Sequence, residues 1–193
     1  MLKRILFATA VSVLSACSTT SVGLKYTAAA SVAKVPATAS PVLLGTFLDQ
    51  RGEPANWLGA IRGGYGNPLK TLEAERPVSE LVRAAFSDGL RARGVAIDQA
   101  AQNQITGTIK KLDCNQYVRR EAYADIEITV LDRSGQQRFV RRYTASNVDG
   151  SLMNLSAGIF ASVDDLRVIL EKTLREAVDQ ALDDSALRAA LQL

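Results

Sequence analysis

Residues 124–130 read Ala-Asp-Ile-Glu-Ile-Thr-Val, and the turn sequence Asp132-Arg133-Ser134-Gly135 follows them. Apolar and polar side chains alternate through the first segment, which indicates a strand with one buried and one wet face. Residues 137–147 then return with the composition of a partner strand. The stretch therefore predicts a β-hairpin around which a sheet is built.

The length of the loop determines the register of this hairpin. A loop of residues 133–136 places Val130 opposite Phe139 and Glu127 opposite Arg142, the second being an opposite-charge pair on the outer face. A loop one residue shorter would place an apolar residue opposite an arginine. We predict the first register, which a pairing of Glu127 with Arg141 would refute.

Two amphipathic helices are predicted outside the hairpin. The first begins at Pro77, which suits the first helical position, and ends at Gly94 in a left-handed cap. The second covers residues 163–182, and Ser162 with Asp165 resembles a capping pair at its start. The apolar stripe of the first helix consists of Val78, Leu81, Val82, Ala85, Phe86 and Leu90.

Further strands are predicted over residues 22–26, 42–48 and 105–109, and a short last helical turn over 186–191. Strands in runs, combined with two one-sided helices, indicate an α+β domain. We expect a mainly antiparallel sheet with two long amphipathic helices packed on one face, because neither apolar stripe can stay in water.

The glycine-rich segment of residues 57–66 has the composition of a phosphate-binding loop. Such loops need a helix directly after them, whereas Asn67 and Pro68 follow here, and then an extended segment over residues 70–72. We interpret the glycines as a bulge or a close approach of two backbones.

The N-terminus has the layout of a secretory signal. The basic pair Lys3 and Arg4 precedes an apolar run over residues 5–14, which is about half the length of a membrane span. The residues Leu14, Ser15, Ala16 and Cys17 resemble the lipobox of bacterial lipoproteins. We therefore predict a signal peptide over 1–16, a lipidated tether over 17–23 and a single domain over 24–193.

The lipobox resemblance implies that Cys17 is acylated and becomes the first residue of the mature protein. Ser18 follows it, whereas an Asp at this place resembles the inner-membrane retention signal, so we expect the outer membrane, with the domain facing the periplasm. Several acyl chains hold a protein stably at a bilayer. The first expected partner is thus the lipid bilayer, reached through acylated Cys17.

Composition excludes several classes of protein. Removal of Lys3 and Arg4 lowers the formal charge from +3 to about +1, and no long basic run indicates nucleic acid as a partner. The chain has no His, which excludes Ser-His and Cys-His nucleophiles and His metal sites. Asp125 and Glu127 imitate a glycosidase pair, but two carboxylates on an exposed strand are usually solvated. We predict no enzymatic activity, no metal and no cofactor.

Cys114 remains a free thiol once Cys17 is acylated. We interpret it as a small buried hydrophobe rather than a nucleophile.

The order of motifs resembles the YajG-type family of bacterial lipoproteins. The lipobox, a strand ending in Asp49-Gln50-Arg51, and the segment Ile61-Arg62-Gly63-Gly64-Tyr65-Gly66 before the first helix carry the resemblance. It implies an outer-membrane lipoprotein domain without an established activity, and it brings no catalytic residues. The plan of helices and sheet is also similar to periplasmic assembly and secretion-accessory lipoproteins, an analogy of fold alone.

These observations favour a binding or assembly component of the cell envelope. The candidate partner-binding residues are Arg141, Arg142 and Tyr65, and the expected partner is another envelope protein or lipopolysaccharide. A basic patch of Arg119, Arg120, Arg138, Arg141 and Arg142 is one interpretation; a solvated face balanced by Asp125, Glu127 and Asp132 is the other. The alternative function is a structural subunit of a secretion or transport complex that oligomerises through an open sheet edge.

Overall fold

The computed structural model describes residues 18–29, 32–149 and 162–193. Within these ranges the chain forms seven strands and three helices. The strands are β1 (Ser18–Val22), β2 (Val42–Asp49), β3 (Trp57–Arg62), β4 (Pro68–Ala74), β5 (Asn103–Gln116), β6 (Arg120–Asp132) and β7 (Gln137–Asp149). The helices are α1 (Val78–Ala92), α2 (Val163–Asp183) and α3 (Ser185–Leu191).

The strands form one mixed sheet in the order β1-β4-β3-β5-β6-β7, and β2 also pairs with β5. Three pairings are parallel (β1 with β4, β2 with β5, β3 with β5) and three are antiparallel. The α+β class is thus confirmed, and the expectation of a mainly antiparallel sheet is corrected. The physical reason is that β5 is long enough to accept β2 along its first half and β3 along its last residues, both in parallel.

The central hairpin has the predicted register. β6 ends at Asp132 and β7 begins at Gln137, so that Val130 lies opposite Phe139 and Glu127 opposite Arg142. The inward residues of β6, from Ala122 to Val130, are all buried. A shift of one residue would have turned this whole apolar set into water.

The helices cover one face of the sheet. The predicted stripe of α1 is buried, Gly94 follows the helix with a φ of 84°, and the Ser162 side chain accepts a hydrogen bond from the amide of Asp164 at the start of α2. Beyond the two predicted long helices, α3 is a helix of seven residues whose Leu187 and Leu191 are buried. The core lies between this helical layer and the sheet.

The first strand begins earlier than the sequence suggested. Residues Ser18–Val22, part of the predicted tether, form β1 in parallel pairing with β4, whereas the strand predicted over 22–26 is wrong beyond Val22. Leu24 and Tyr26 are nevertheless buried against the core. The alternation of these residues correctly indicates which side chains are buried. It does not locate the strand, because pairing depends on β4, which lies about fifty residues further along the chain.

Two sequence predictions fall outside the described residues. They are the signal peptide over 1–16 with the lipobox residues Leu14, Ser15, Ala16 and Cys17, and the connection over 150–161 between β7 and α2. Among the described residues, no helix has the length and apolar content that crossing a bilayer requires.

Candidate functional site

The Asp49–Arg51 motif forms a structural clamp. The Arg51 side chain is only 3% exposed; its Nη2 pairs with Asp49 Oδ2 at 2.9 Å, and its Nη1 donates to the carbonyls of Trp57 at 2.7 Å and Leu112 at 3.0 Å. Burial alone would raise the pKa of Asp49, but hydrogen bonds from Arg51 and its charge hold that pKa below the usual range. The motif therefore joins the end of β2 to β3 and β5.

Gly59 confirms the close-approach interpretation of the glycine-rich segment. Its φ is +153°, and a Cβ built there would lie 1.6 Å from the carbonyl oxygen of Cys114 on β5. The register of β3 against β4 also shifts between Trp57 and Gly59, as a bulge does. The segment continues into β4 rather than a helix, so it lacks the helix N-terminus that would bind a phosphate.

Cys114 is buried in the core as a free thiol. Burial, with a smaller contribution from Asp113, raises the pKa of this thiol far above its ordinary value. The thiolate that a nucleophile requires is therefore disfavoured. In the part of the chain that the structure describes, no group of His, Cys, Asp and Glu side chains could hold a metal ion.

A buried ionic cluster around Arg93 was not found by sequence analysis. Arg93 lies at the end of α1 and is 2% exposed; its guanidinium contacts Asp179 at 3.0 Å and Asp183 at 2.8 Å on α2. It also donates to the Tyr26 hydroxyl at 3.1 Å, and that hydroxyl donates to Asp179 at 2.6 Å. The cluster ties residues 24–29 to both long helices. The one local signal was the spacing of Asp179 and Asp183, which places both on one face of α2.

The five arginines of the candidate basic patch each have a carboxylate partner. The pairs are Arg119–Glu121, Arg120–Asp149, Arg120–Asp165, Arg138–Asp132, Arg141–Asp184 and Arg142–Asp125. Their positive charges are thus balanced locally. Arg142 lies opposite Glu127 in the register but forms its ion pair with Asp125.

The structure separates the three candidate partner-binding residues. Arg141 and Arg142 are neighbours on β7, so their side chains point to opposite faces of the sheet. Arg141 reaches Asp184 beside α3, at 2.5 Å, whereas Arg142 reaches Asp125 on the face without helices. Tyr65 lies in the turn between β3 and β4 and is fully exposed. Their role in binding stays a prediction.

The face of the sheet opposite the helices is mainly polar. We call the solvent-facing residues of β5, β6 and β7 on this side the open face; they include Thr106, Thr108, Tyr123, Asp125, Glu127, Thr129, Arg142 and Thr144, with the exposed apolar side chains of Val140 and Val148. On it, Lys111 lies over the ring of Tyr123 at 4.1 Å. Burial raises the pKa of the Asp113 carboxyl, although the charges of Lys111 and Arg51 act in the opposite direction.

At one end of the sheet, two turns lie side by side and expose apolar side chains. Tyr117, in the turn between β5 and β6, donates its hydroxyl to the carbonyl of Gly64 in the turn between β3 and β4, at 2.6 Å. We call the four exposed apolar residues of these turns and of the adjoining start of β4 the tip: Tyr65, Leu69, Tyr117 and Val118. They are half of the eight large apolar side chains exposed in the described ranges.

A hollow lies at the other end of the sheet, between α3 and the turn joining β6 to β7. Its volume is about 640 Å³, and Asp132, Arg133, Arg138 and Gln192 are among its lining residues. A hydrogen bond from Ser134 is the main cause that lowers the pKa of Asp132 to about 2. The hollow is open, and its charged side chains lie beside Ala189 and Ala190.

Comparison with solved structures shows the fold. The crystal structure of protein XCC0632 from Xanthomonas campestris has a TM-score of 0.64 at 9% identity, covering 89% of this chain and 96% of that one. The crystal structure of an uncharacterized protein has a TM-score of 0.59 at 8% identity, covering 86% and 96%. Lipoprotein GNA1162 from Neisseria meningitidis is more distant, with a TM-score of 0.37 at 9% identity over 67% and 97%.

Sequence comparison shows the family. No protein with a curated description matches the chain. The family Lipoprotein_16, described as an uncharacterized lipoprotein, matches residues 40–192. This range runs from the start of β2 to the end of α3 and so includes the clamp, the open face and all of the buried cluster except Tyr26. The chain therefore belongs to the lipoprotein family Lipoprotein_16, a family of membrane-anchored envelope proteins.

Proposed function

We propose that this protein is a YajG-type lipoprotein of the outer membrane, anchored through acylated Cys17, and that its periplasmic domain is a non-enzymatic binding or assembly component of the envelope. Membership of a lipoprotein family and the lipobox at residues 14–17 support the anchor. The first described residue after the lipobox, Ser18, already belongs to β1. The anchor is thus joined to the sheet with no spacer.

The observation that supports a binding role is the open face of the sheet. Both long helices pack on the other side of the sheet, and the described residues leave the open face in water along β5, β6 and β7. The strands present paired charges and hydroxyl groups there, which suit a polar partner surface. Another envelope protein or the phosphates of lipopolysaccharide have this chemistry.

The chemistry of the side chains supports a non-enzymatic role. The sequence contains no His, and the one thiol of the described residues is buried with a raised pKa. Asp125, a member of the carboxylate pair that imitates a glycosidase, is held in an ion pair with Arg142.

The anchor is tested by substituting its thiol. Cys17→Ser should abolish labelling with radioactive palmitate and move the protein from the membrane fraction to the soluble periplasmic fraction. Cys114→Ser is the matched control, because that thiol is buried, and it should leave labelling unchanged. Labelling that persists in Cys17→Ser would refute the anchor.

The binding surface is tested by site-directed photo-crosslinking in intact cells. A photoreactive residue at Thr144, exposed on the open face, should give crosslinked partners, whereas one at Lys172, exposed on the outer side of α2, should not. Because Arg141 and Arg142 lie on opposite faces, Arg142→Gln should weaken co-purification of the partner and Arg141→Gln should not. Equal effects at both positions would count against the open face.

A second candidate function is a structural subunit that oligomerises through a sheet edge. In the described ranges, the 13-residue strand β7 pairs on one side only, with β6, and its other side presents backbone groups to a further strand. Light scattering of the acylated protein in detergent tests this role. A closed ring or dimer would support it, and a monomer would refute it.

A further inference from the structure

The register of β1 determines where the chain leaves the fold toward its anchor. β1 runs parallel to β4, and Ser18 lies opposite Lys70, two residues after β4 begins at Pro68. β4 itself follows directly on the turn that carries Tyr65. Cys17 precedes Ser18 by one Cα–Cα step of about 3.8 Å. The attachment point of the lipid is therefore at the tip end of the sheet.

The tip has the chemistry of a surface that meets a bilayer. Tyr65 is fully exposed, and the side chains of Leu69, Tyr117 and Val118 are about half exposed. Tyrosine rings are enriched at the interface between lipid and water, where the ring is apolar and the hydroxyl stays hydrated. The hydrogen bond from Tyr117 to Gly64 holds the two turns together as one surface.

Basic side chains border the tip. Arg62 spans its base, donating to the Asn115 side chain at 3.0 Å and to the Gly66 carbonyl at 3.1 Å. Arg119, which follows Val118, is balanced by its ion pair with Glu121. Lys70, on β4, lies opposite Ser18 in the register of β1 against β4. Long basic side chains around an apolar patch place their charges at the level of anionic lipid headgroups.

We propose that the tip is a second membrane contact, in which Tyr65, Leu69, Tyr117 and Val118 lie in the headgroup region of the bilayer that holds the acyl chains. This inference rests on the anchor at Cys17 proposed above. An acyl anchor alone leaves the domain free to tilt, whereas a second contact sets its orientation. The long axes of the strands then run from the membrane surface toward the periplasm.

This orientation places the opposite end of the sheet far from the membrane. The strand β6 has 13 residues, so the turn after Asp132 lies about 40 Å from the tip. The hollow beside α3 opens at that distant end. The open face is then presented sideways, parallel to the membrane normal, where a periplasmic partner can reach it.

Two valines provide a matched test. Val118 is 50% exposed at the tip, and Val140 is 47% exposed on β7, opposite Thr129 near the distant end. A nitroxide is attached to Val118→Cys or Val140→Cys in the full-length acylated protein, in vesicles of phosphatidylethanolamine and phosphatidylglycerol. The buried Cys114 thiol has a raised pKa and should not react with the label.

We expect the label at position 118 to collide several-fold less with a water-soluble nickel chelate than the label at position 140, and several-fold more with oxygen dissolved in the lipid. Equal accessibility of the two labels on vesicle-bound, acylated protein would overturn the membrane contact and leave the anchor intact. An intact mass without acyl chains on Cys17 would instead overturn the anchor, and the orientation with it.

A substitution within the tip gives a second measurement. Tyr65→Asp should fold normally, because the ring is fully exposed, and should raise chelate accessibility at position 118 several-fold by introducing a charge into the headgroup region. The matched substitution Gln137→Asp, at the exposed start of β7 beside the distant turn, should leave it unchanged. An unchanged label in Tyr65→Asp would overturn the role of that ring.

Discussion

Arginine has two different roles in two regions of this molecule. Arg51 and Arg93 lie within the fold, 3% and 2% exposed, and each joins three separate segments. Arg141 and Arg142 lie on β7, are more than half exposed, and each pairs with one carboxylate. The sequence suggested the adjacent pair Arg141 and Arg142 as a binding site because two neighbouring arginines are recognisable without any knowledge of the fold. The isolated arginines organise the fold, because their partners are distant in the chain.

The energetic difference follows from solvent. Removal of one partner from a buried ion pair leaves an uncompensated polar group and costs about 3–5 kcal/mol. An exposed ion pair is screened by water and contributes about 0–1 kcal/mol. Four substitutions test whether this contrast holds here, in order of decreasing effect.

Arg93→Leu should have the largest effect. It leaves the carboxylate of Asp179 and the hydroxyl of Tyr26 without their cation, and the free energy of unfolding should fall by about 3–5 kcal/mol in urea titration. Arg91→Leu is the control two residues earlier, where the side chain is 65% exposed; it should cost about 0.5 kcal/mol or less. Similar losses for both variants would contradict the contrast.

Arg51→Leu should lower the free energy of unfolding by about 2–3 kcal/mol, because the carbonyls of Trp57 and Leu112 lose a charged donor. Arg51→Lys retains the charge but not the planar fork that reaches both carbonyls, so thermal unfolding should show most of the same loss. Full stability of the lysine variant would mean that charge alone, and not geometry, makes the clamp.

Tyr26→Phe should cost about 1 kcal/mol and change the alkaline pH dependence of stability. Burial, reinforced by donation to Asp179, raises the pKa of Tyr26 to about 12 in the folded protein from an ordinary value near 10. The folded protein thus keeps the Tyr26 proton up to a higher pH than the unfolded chain does. The contribution of Tyr26 to the free energy of unfolding is therefore complete below pH 10 and is lost as the pH rises toward 12.

Unfolding of the wild type and of Tyr26→Phe should therefore be measured across that pH window. The difference in stability between the two proteins should shrink as the pH rises. Tyr65→Phe, altered at a fully exposed ring, is the control and should follow the wild type. A constant difference from pH 9 to pH 12 would show that the hydroxyl of Tyr26 is not held in the buried cluster.

Arg142→Ala should have the smallest effect on stability, about 0–1 kcal/mol. A double-mutant cycle with Asp125→Ala measures the coupling directly, since these two side chains are ion-paired across β6 and β7. A coupling energy above about 2 kcal/mol would place this exposed pair in the same class as the buried ones and remove the contrast.

The features predicted correctly are those encoded over short distances. The alternation in residues 124–130 and the loop length determined the hairpin register, and Gly94 and Ser162 marked helix ends. Pro77, predicted as the first helical residue, is the N-cap, and α1 begins one residue later at Val78. The glycine at position 59 was interpreted as a close approach because the following residues excluded a phosphate loop, but the carbonyl it approaches, that of Cys114, lies 55 residues away and could not be named. The strand over 22–26 was misplaced for the same reason.

Local sequence thus determined the strands of the central hairpin, the two long helices, and which face of each is apolar, because side-chain periodicity is a property of neighbouring residues. Only the tertiary structure decided that β5 accepts two parallel partners, that Arg93 meets two carboxylates on α2, and that β1 begins beside the tip. Each of these depends on which distant segments pair across the sheet. That choice is made by the packing of the whole core and leaves no pattern in any single stretch of the chain.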